Sequence, residues 1–317
     1  MKKAYVVGNN VKTSLSPNIF RHWFEKYNIN GEYGYVEIQE KDFDQKIKIL
    51  LKEEGLVGLN ITIPFKERII SYLTSQDKHA NEIKAVNCVT INNNNTISGT
   101  NTDWAGFMNV LENFIKKYSP LGKLPKEKHS LEECGPNHKK TRYLKVFQHD
   151  TAVVVGYGGA GKAVVYSLVQ MGFRRIKVFN RTLEKIKNIE TAIIKPFKLD
   201  ELLKHTLESS VIVNTTPNPN ILGELGLLHD NCLQTIDHYN VGVDINYKTI
   251  KENGKNFFNE YFFSAHRIHG INMLISQAAL CFDIWFGILP DINDVGLRSK
   301  LLDKIKKKMT IIVGLTG

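Results

Sequence analysis

The sequence predicts an α/β protein of two domains. Its 317 residues are enough for two domains that each bury a hydrophobic core. Apolar alternation typical of strands recurs between segments with the spacing of amphipathic helices, an order that produces a mostly parallel sheet covered by helices. After a polar stretch at residues 119–149, a second series of strand, turn and helix begins. We therefore expect a mixed or parallel α/β domain, followed by a second α/β domain.

The composition is that of an ordinary folded protein, because 42% of the residues are hydrophobic and 23% are charged. The net charge of +10 comes from scattered lysines. Such a charge suits an anionic substrate and a phosphate-rich cofactor as well as it suits nucleic acid. We expect a small-molecule partner and no nucleic-acid partner.

The cysteines Cys88, Cys134, Cys232 and Cys281 are far apart and form no CxxC pair. Neither a metal site nor a disulfide framework is predicted, and a reducing compartment is the simplest setting. The first residues contain too short an apolar run for a signal peptide, and no apolar run is long enough to cross a bilayer. We expect a cytoplasmic protein with no membrane partner.

The segment LNITIPFK, residues 59–66, is typical of a buried strand that ends abruptly. Apolar residues alternate with Asn60 and Thr62, and Pro64 then ends the strand because it has no amide hydrogen. Lys66 follows the carboxyl end of the strand, which is where ligands bind in open α/β sheets. Taken alone, Lys66 could equally be a surface lysine after a turn.

The elements that follow continue the α/β order. A helix is expected at residues 66–73, and VNCVTI with a turn at residues 92–95 predicts a hairpin. AGFMNVLENFIKKY, from Ala105, is a well-patterned helix that leads into the second domain. Residues 119–149 contain three prolines and no sustained period, so they are predicted to form an inserted loop.

Gly156, Gly158 and Gly161 form the pattern G-x-G-x-x-G. The pattern follows the apolar run AVVV and opens the helical segment AGKAVVYSLVQ, which is the context of a Rossmann dinucleotide-binding domain. The free amides at the start of the helix would bind the cofactor phosphates. The alternative is a tight turn that binds no ligand.

The end of the next strand, IKVFN, favours NADP over NAD. NAD sites usually carry an acidic residue there, which would repel a 2′-phosphate. This strand instead ends in Asn180, Arg181 and Thr182. The guanidinium of Arg181 can bind a phosphate through two hydrogen bonds, and Thr182 adds a hydroxyl.

Polar clusters in the first domain follow predicted strands or precede predicted helices. SLSP contains Ser14 and Ser16, AVNC contains Asn87, and GTNTDWAG contains Asp103. Each has a structural alternative, because serine and aspartate are also common as helix caps.

Together these stretches resemble the shikimate dehydrogenase family. The matching stretches, in family order, are SLSP, GLNITIPFK, AVNC, GTNTDWAGF, VVVGYGGAGKAVV, NRT, VNTT, DINY and GINMLISQAA. The resemblance implies a reversible, NADP-linked reduction of 3-dehydroshikimate to shikimate in aromatic amino-acid biosynthesis. It also implies an N-terminal substrate domain at residues 1–104, completed by helices at 268–308, and a Rossmann NADP domain at 105–267.

The resemblance assigns the catalytic pair to Lys66 and Asp103. An ammonium beside the substrate oxygen can stabilise the charge that hydride transfer creates there and can supply a proton. The residues implied to bind or shape the substrate pocket are Ser14, Ser16, Asn60, Thr62, Asn87, Asp103, Tyr247 and Gln277. The residues implied to bind NADP are Gly156, Tyr157, Gly158, Gly159, Ala160, Asn180, Arg181, Thr182, Lys185, Ile245 and Gly270.

The chain departs from the family pattern in loops. PNPN at residues 217–220 replaces the usual Ser, Gly and Met, Lys84 stands where a glycine is usual, and the motif around Tyr247 is shortened. Two alternatives therefore stay open: a quinate/shikimate dehydrogenase that uses NAD, and an inactive NADP-binding paralogue. A monomer and a homodimer are both compatible with the sequence.

The last residues, MTIIVGLTG from Met309, resemble the opening strand of a dephospho-CoA kinase. The chain stops before any G-K-[ST], so no phosphate loop and no kinase activity are predicted. We expect residues 309–317 to form a tail outside the two domains.

Overall fold

The computed structural model describes residues 1–92, 94, 96–118, 150–206, 209–218, 241–247 and 266–313. The chain divides into two compact units. Unit 1 comprises Met1–Gly106 and Leu274–Gly317, and unit 2 comprises Phe107–Met273. The predicted domain boundaries, after residues 104 and 267, lie a few residues before these positions. Both units contain a sheet with helices, which confirms the predicted α/β class.

Unit 1 contains a mixed six-stranded sheet in the order β2-β1-β3-β5-β6-β4. Its elements are β1 (Lys2–Gly8), α1 (Ser16–Tyr27), β2 (Gly31–Glu37), α2 (Phe43–Leu50), β3 (Leu56–Ile61), β4 (Ser75–Gln76), α3 (Lys78–Ile83), β5 (Cys88–Ile91), β6 (Ile97–Thr100), the start of α4 (Asp103–Tyr118), most of α7 (Gly270–Phe286), and α8 (Val295–Val313). β1 is parallel to β2 and β3, whereas the predicted hairpin β5–β6 is confirmed and runs antiparallel.

The strand register of unit 1 brings three chain segments to one edge of the sheet. Asn60 on β3 pairs with Cys88 at the start of β5, and Cys88 pairs with Thr100 at the end of β6. The turn after β3, the segment before β5 and the segment after β6 therefore all leave the sheet at the same edge. Polar residues that are distant along the chain become neighbours there.

Aromatic packing joins α1 and α7 in unit 1. On α1, Phe20 and Phe24 are one helical turn apart and buried, so they occupy the same face. The ring of Phe282 on α7 lies 5.6 Å from Phe20 and 5.5 Å from Phe24, centroid to centroid. Burying each such side chain contributes roughly 1.5–3 kcal/mol. This packing fixes α7, which carries Gln277, against α1.

Unit 2 contains six parallel strands in the order β12-β11-β10-β7-β8-β9. Its described elements are β7 (Thr151–Val155), α5 (Gly159–Gln170), β8 (Arg175–Asn180), β9 (Ile194–Lys198), α6 (Leu202–Thr206), β10 (Val211–Asn214), β11 (Val241–Asp244) and β12 (His266–His269). This is the strand order of dinucleotide-binding folds, in which the order of strands along the sheet reverses between β7 and β10. On α4, Phe107, Leu111 and Ile115 recur every four residues and pack into the core of this unit.

Two expectations about local structure are wrong. The helix expected at residues 66–73 is a 3₁₀ turn, Arg68–Tyr72, because this short segment carries two adjacent β-branched residues that disfavour an α-helix. The tail expected from residue 309 is helical as far as Val313, because α8 continues through it. Extending an existing helix adds one hydrogen bond for each residue ordered, whereas starting a new element requires nucleation.

Several predicted features lie outside the described residues. They are the insertion at 119–149, residues 219, 220, 248 and 249 of the altered loops, the cysteines Cys134 and Cys232, and residues 314–317. Among the helices that the structure does describe, none has the length and apolar character needed to cross a membrane.

Candidate active site

Lys66 and Asp103 form a buried ion pair at the polar edge of the unit 1 sheet. Lys66 lies in the turn after β3, where buried Phe65 stacks on Phe43 with ring centroids 4.2 Å apart and anchors the turn. The backbone carbonyl of Lys66 also accepts a hydrogen bond from Val86 N at 2.8 Å. Nζ of Lys66 donates to the Asp103 carboxylate, and the two side chains are 11% and 8% exposed.

Asp103 is held as the first residue of α4. Its backbone N donates to Asn101 Oδ1 at 3.0 Å, so the side chain of Asn101 satisfies the first amide of the helix. The side-chain amide of Asn101 in turn donates to Ala85 O at 2.7 Å. With its backbone braced in this way, the Asp103 carboxylate is available to Lys66. Asp103 therefore does not act as the helix cap, which was the structural alternative to a catalytic role.

Asn87 is the centre of the polar cluster. Its Nδ2 carries two hydrogens and has three acceptors within hydrogen-bonding distance: Asp103 Oδ1 at 2.9 Å, Thr102 Oγ1 at 2.9 Å and Gln277 Oε1 at 3.2 Å. Its Oδ1 accepts from Thr102 N at 2.6 Å. Only 2% of Asn87 is exposed. A buried amide with all of its polar atoms bonded is fixed in orientation, so Asn87 sets the geometry of Asp103 and Gln277.

Gln277 reaches the cluster from α7 because α4 and α7 approach closely at Gly106. A Cβ atom at Gly106 would lie 2.9 Å from the backbone N of Gln277, closer than side chains allow. Nε2 of Gln277 donates to Leu274 O at 2.9 Å, which leaves Oε1 for Asn87. The glycine in the motif GTNTDWAG is therefore needed for packing beside the site.

Ser14 and Ser16 lie together at the start of α1. Ser14 Oγ accepts from Ser16 N at 3.2 Å, and the two hydroxyl oxygens are 3.3 Å apart. Leu15 occupies the N-cap position of α1, and its side chain makes no capping hydrogen bond. Ser16 is the first residue of the helix, so it does not act as the helix cap. Two hydroxyls beside a helix N-terminus form a favourable environment for a carboxylate.

Thr62 follows β3 and is partly buried beside the end of β1. A Cβ atom at Gly8 would lie 2.5 Å from its Cγ2 methyl, so the glycine at the end of β1 makes room for Thr62. Asn9 N donates to Ile63 O at 3.3 Å, which joins the loop that leads to Ser14 to the turn that leads to Lys66. The predicted residues from SLSP and from LNITIPFK thus belong to adjoining loops.

Asn60 is buried and its side chain is fully bonded within the protein. Oδ1 accepts from Tyr33 Oη at 2.7 Å, and Nδ2 donates to Asn87 O at 3.2 Å and to Cys281 Sγ at 3.0 Å. These contacts agree with the predicted role of Asn60 in shaping the pocket. Tyr33 and Cys281 were not predicted from the sequence. The spacing of Cys281, four residues after Gln277 on a helix, is the signal that could have identified it.

The glycine turn of unit 2 has the geometry of a phosphate-binding loop. Gly156 has φ +94°, and a Cβ atom there would lie 2.8 Å from Thr215 Oγ1, so only glycine fits. A Cβ atom at Gly161 would lie 2.5 Å from Gly156 O. The absence of a side chain at Gly161 therefore allows the helix to lie close to the turn. Gly158, in contrast, faces open space, because a Cβ atom there would have no other atom within 4 Å. Gly159 and Ala160 are the first residues of α5, and their amides lie at its positive end.

The segment after β8 presents exposed cations. Asn180 Nδ2 donates to Thr182 O at 3.0 Å and fixes the turn. Arg181, Thr182 and Lys185 are exposed. A guanidinium and an ammonium in this position suit a phosphate on the cofactor ribose.

The predicted residues after β11 also belong to unit 2. Ile245 N donates to Asn214 O at 3.1 Å, and a Cβ atom at Gly270 would lie 2.2 Å from Ile245 O. Glycine is therefore required where α7 begins beside Ile245. Tyr247, predicted to bind substrate, lies in the same segment as Ile245 and within unit 2. Tyr157, in the glycine turn, is partly buried.

Asp244 is a buried carboxyl in the motif DINY, and the sequence predicted no role for it. Its Oδ1 accepts from Asn246 N at 3.0 Å and from Asn214 Nδ2 at 3.3 Å, whereas its buried Oδ2 has no hydrogen-bond partner among the described residues. Burial raises the pKa of Asp244 to about 6. Asn214 Oδ1 in turn accepts from Thr216 Oγ1 at 2.8 Å. Asp244 therefore joins the loops that follow β10 and β11.

Comparison with known proteins identifies the family. Residues 6–89 match the family model of the shikimate dehydrogenase substrate-binding domain, and residues 139–256 match that of shikimate/quinate 5-dehydrogenase. A relative from Thermotoga maritima, named shikimate dehydrogenase (NADP(+)), is 34% identical over 214 residues, which cover 68% of each chain. The chain belongs to the shikimate dehydrogenase family. The resemblance inferred from the sequence motifs is thereby confirmed.

The similarity to shikimate dehydrogenases extends over most of the chain. A relative from Mesorhizobium japonicum, also named shikimate dehydrogenase (NADP(+)), is 29% identical over 304 residues, covering 92% of this chain and 93% of its own. The crystal structure of shikimate dehydrogenase from Thermotoga maritima superposes with a TM-score of 0.68 at 30% identity, covering 96% of this chain and 99% of its own. The fold and the order of motifs are therefore those of the shikimate dehydrogenase family.

Proposed function

We propose that the chain is an NADP-dependent shikimate dehydrogenase, which reversibly reduces 3-dehydroshikimate to shikimate in the synthesis of chorismate and the aromatic amino acids. The observation that carries the proposal is the buried Lys66–Asp103 ion pair, which Asn87 holds in place. A family member without activity would have no need for a buried charge pair, because such pairs contribute little net stability.

The substrate is bound by residues of unit 1. The paired hydroxyls of Ser14 and Ser16 receive its carboxylate, and Thr62 lies in the adjoining loop. The amide groups of Asn87 and Gln277 and the carboxylate of Asp103 are assigned to its hydroxyls, because the three side chains meet in one polar cluster. Asn60 shapes the pocket, and Tyr247 is also assigned to substrate binding.

Lys66 acts on the substrate oxygen. When bound, NADPH would supply a hydride to the ketone carbon of 3-dehydroshikimate, and negative charge would then develop on the ketone oxygen. The Lys66 ammonium stabilises this charge and is a source of the proton. Asp103 keeps Lys66 in position through the ion pair and binds a ring hydroxyl. Burial strengthens both effects, because few water molecules screen the charges.

The chain fits NADP at unit 2. The open space at Gly158 and the amides of Gly159 and Ala160 accommodate a pyrophosphate, and Arg181, Thr182 and Lys185 suit the 2′-phosphate. The remaining cofactor contacts are assigned to Gly156, Tyr157, Asn180, Ile245 and Gly270. In this proposal unit 2 is the cofactor domain and unit 1 is the substrate domain. The NAD alternative is not favoured, because Arg181 replaces the acidic residue that NAD sites use.

A cytoplasmic location and a monomeric or homodimeric state complete the proposal. Cys88 and Cys281, both buried free thiols, suit a reducing compartment. Light scattering of the purified chain distinguishes a monomer from a homodimer. No kinase activity is proposed for the residues from Met309.

The proposal is tested by steady-state kinetics in both directions. In the oxidative direction, shikimate and quinate are each assayed with NADP⁺ and with NAD⁺. In the reductive direction, oxidation of NADPH is measured with 3-dehydroshikimate. We expect turnover with shikimate and NADP⁺, lost in Lys66→Ala and kept in Lys41→Ala, which removes an exposed lysine. Binding of NADPH without any turnover would instead support the inactive paralogue.

A further inference from the structure

We propose that Cys281 is a positioning residue of this site, whose thiol holds Asn60 and Thr102 so that Asn87 and Asp103 face the substrate. This inference rests on the proposed function, because positioning has meaning only for a site that binds shikimate.

The position of Cys281 on α7 places it directly below the polar cluster. It follows Gln277 by four residues, so the two side chains lie on the same face of the helix, one turn apart. Cys281 is completely buried, whereas 8% of Gln277 is exposed. Gln277 therefore contacts the cluster from the accessible side, and Cys281 contacts it from the interior.

The thiol connects two segments that carry site residues. Sγ accepts a hydrogen bond from Asn60 Nδ2 at 3.0 Å and lies 3.3 Å from Thr102 Oγ1. Asn60 is on β3, and Thr102 immediately precedes Asp103. Since β3 and the segment after β6 leave the sheet at the same edge, the sulfur joins them beneath the site.

Thr102 transmits this support to Asn87. Its Oγ1 accepts from Asn87 Nδ2 at 2.9 Å, and its backbone N donates to Asn87 Oδ1 at 2.6 Å. Asn60 supports Asn87 separately, through the bond from Nδ2 to Asn87 O at 3.2 Å. Both neighbours of the Cys281 thiol thus contact the residue that orients Asp103 and Gln277.

Nucleophilic and redox roles for this sulfur do not fit its surroundings. Cys281 contacts Cys88, and both thiols are fully buried. Burial, together with the neighbouring Cys281 thiol, raises the pKa of Cys88 well above its ordinary value. Thiols that are closed off from solvent in this way are inert. The contacts of Cys281 with Asn60 and Thr102 support a hydrogen-bonding role for its thiol.

The test compares Cys281→Ala, Cys281→Ser and the control Cys88→Ala. All three change a buried thiol, but only changes at Cys281 affect a group that contacts Asn60 and Thr102. A serine hydroxyl can replace the thiol, because its oxygen, on a shorter bond to Cβ, stays within reach of Asn60 Nδ2, which lies 3.0 Å from the sulfur. Cys281→Val fills the site without an acceptor and takes the place of the alanine variant if that variant does not fold.

We expect Cys281→Ala to raise the KM for shikimate about tenfold, because Asn87 and the side chains that it orients are displaced when the thiol no longer supports Asn60 and Thr102. The KM for NADP⁺ stays unchanged, and Cys281→Ser and Cys88→Ala stay close to the wild type. A merely structural role would instead lower the active fraction, and so kcat, without changing KM.

Two results overturn the inference alone: equal shikimate KM values for Cys281→Ala and Cys88→Ala, or a serine variant as impaired as the alanine variant. A wild-type chain that binds NADP⁺ but shows no shikimate turnover overturns the proposed function, and the inference falls with it.

Discussion

Lys66 and Asp103 form a buried ion pair although they are 37 positions apart in the chain. The β5–β6 hairpin lies between them in sequence and brings the segment after β6 back beside the turn after β3. Each charge compensates the other, and Asn87 supplies the further hydrogen bond that the buried carboxylate needs. The two residues therefore function as one unit.

Removing either charge should inactivate the chain, and removing both should lower kcat and the free energy of unfolding little further. We expect Lys66→Ala and Asp103→Ala each to lower kcat by a factor on the order of 10²–10⁴, the usual contribution of a positioned proton donor. Each single change should also cost about 3–5 kcal/mol of unfolding free energy, because the remaining charge is buried and unpaired. Urea unfolding and steady-state kinetics of the singles and of the double variant measure both effects. Additive losses in the double variant would contradict the proposed coupling.

Arg181→Ala should convert the preference for NADP⁺ into near-equality with NAD⁺. Loss of charge-assisted hydrogen bonds to the 2′-phosphate raises the KM for NADP⁺ by a factor of about 10–100 and leaves the KM for NAD⁺ unchanged. Arg174→Ala is the control, since Arg174 is exposed at the opposite end of β8. Equal effects of the two substitutions on NADP⁺ would place the 2′-phosphate elsewhere.

The glycines of the turn should respond differently to alanine. Gly156→Ala places a side chain at φ +94° and against Thr215, so it should destabilise the fold by about 1–3 kcal/mol. Gly158→Ala meets nothing within 4 Å, so the melting temperature should hardly change. Its methyl group nevertheless occupies the space proposed for the pyrophosphate, and binding of NADPH should weaken about tenfold. Fluorescence titration with NADPH and thermal unfolding separate the two cases; unchanged NADPH binding by Gly158→Ala would argue against the proposed site.

Asp244→Asn should make the chain more stable at neutral and alkaline pH. The folded chain holds the pKa of Asp244 at about 6, above the ordinary 3.8, so between these values it binds more protons than the unfolded chain. Stability is therefore lost as the pH rises through this range, by about 3 kcal/mol when the loss is complete above pH 6. Asparagine keeps the acceptor for Asn246 N and removes the charge.

Urea unfolding at about pH 8 and pH 5 tests the Asp244 prediction. The variant should exceed the wild type by about 3 kcal/mol at the higher pH and by about half as much at the lower one. Asp200→Asn, at an exposed position, is the control and should show no such change. A gap that is the same at both pH values would mean that Asp244 does not titrate in this range.

Local patterns predicted most of the fold and the candidate site. Strand alternation, the glycine spacing from Gly156 to Gly161 and the positions of Lys66 and Asp103 after strand ends are all properties of a few consecutive residues. They predicted the two α/β units, the β5–β6 hairpin and the family. The helical conformation of residues 309–313 was not predicted. These residues have a strand-like pattern, but they follow an existing helix, and continuing that helix needs no new nucleation.

The sequence by itself thus determined the fold class, the family and the residue types of the candidate site. Only the tertiary structure decided which side chains hold the unit 1 site together: Tyr33 and Cys281 around Asn60, and Asn87 between Asp103 and Gln277. In unit 2, only the tertiary structure showed that Asp244 joins two loops. The reason is physical. Hydrogen bonds between residues far apart in sequence depend on strand register and helix packing, and no pattern of neighbouring residues records them.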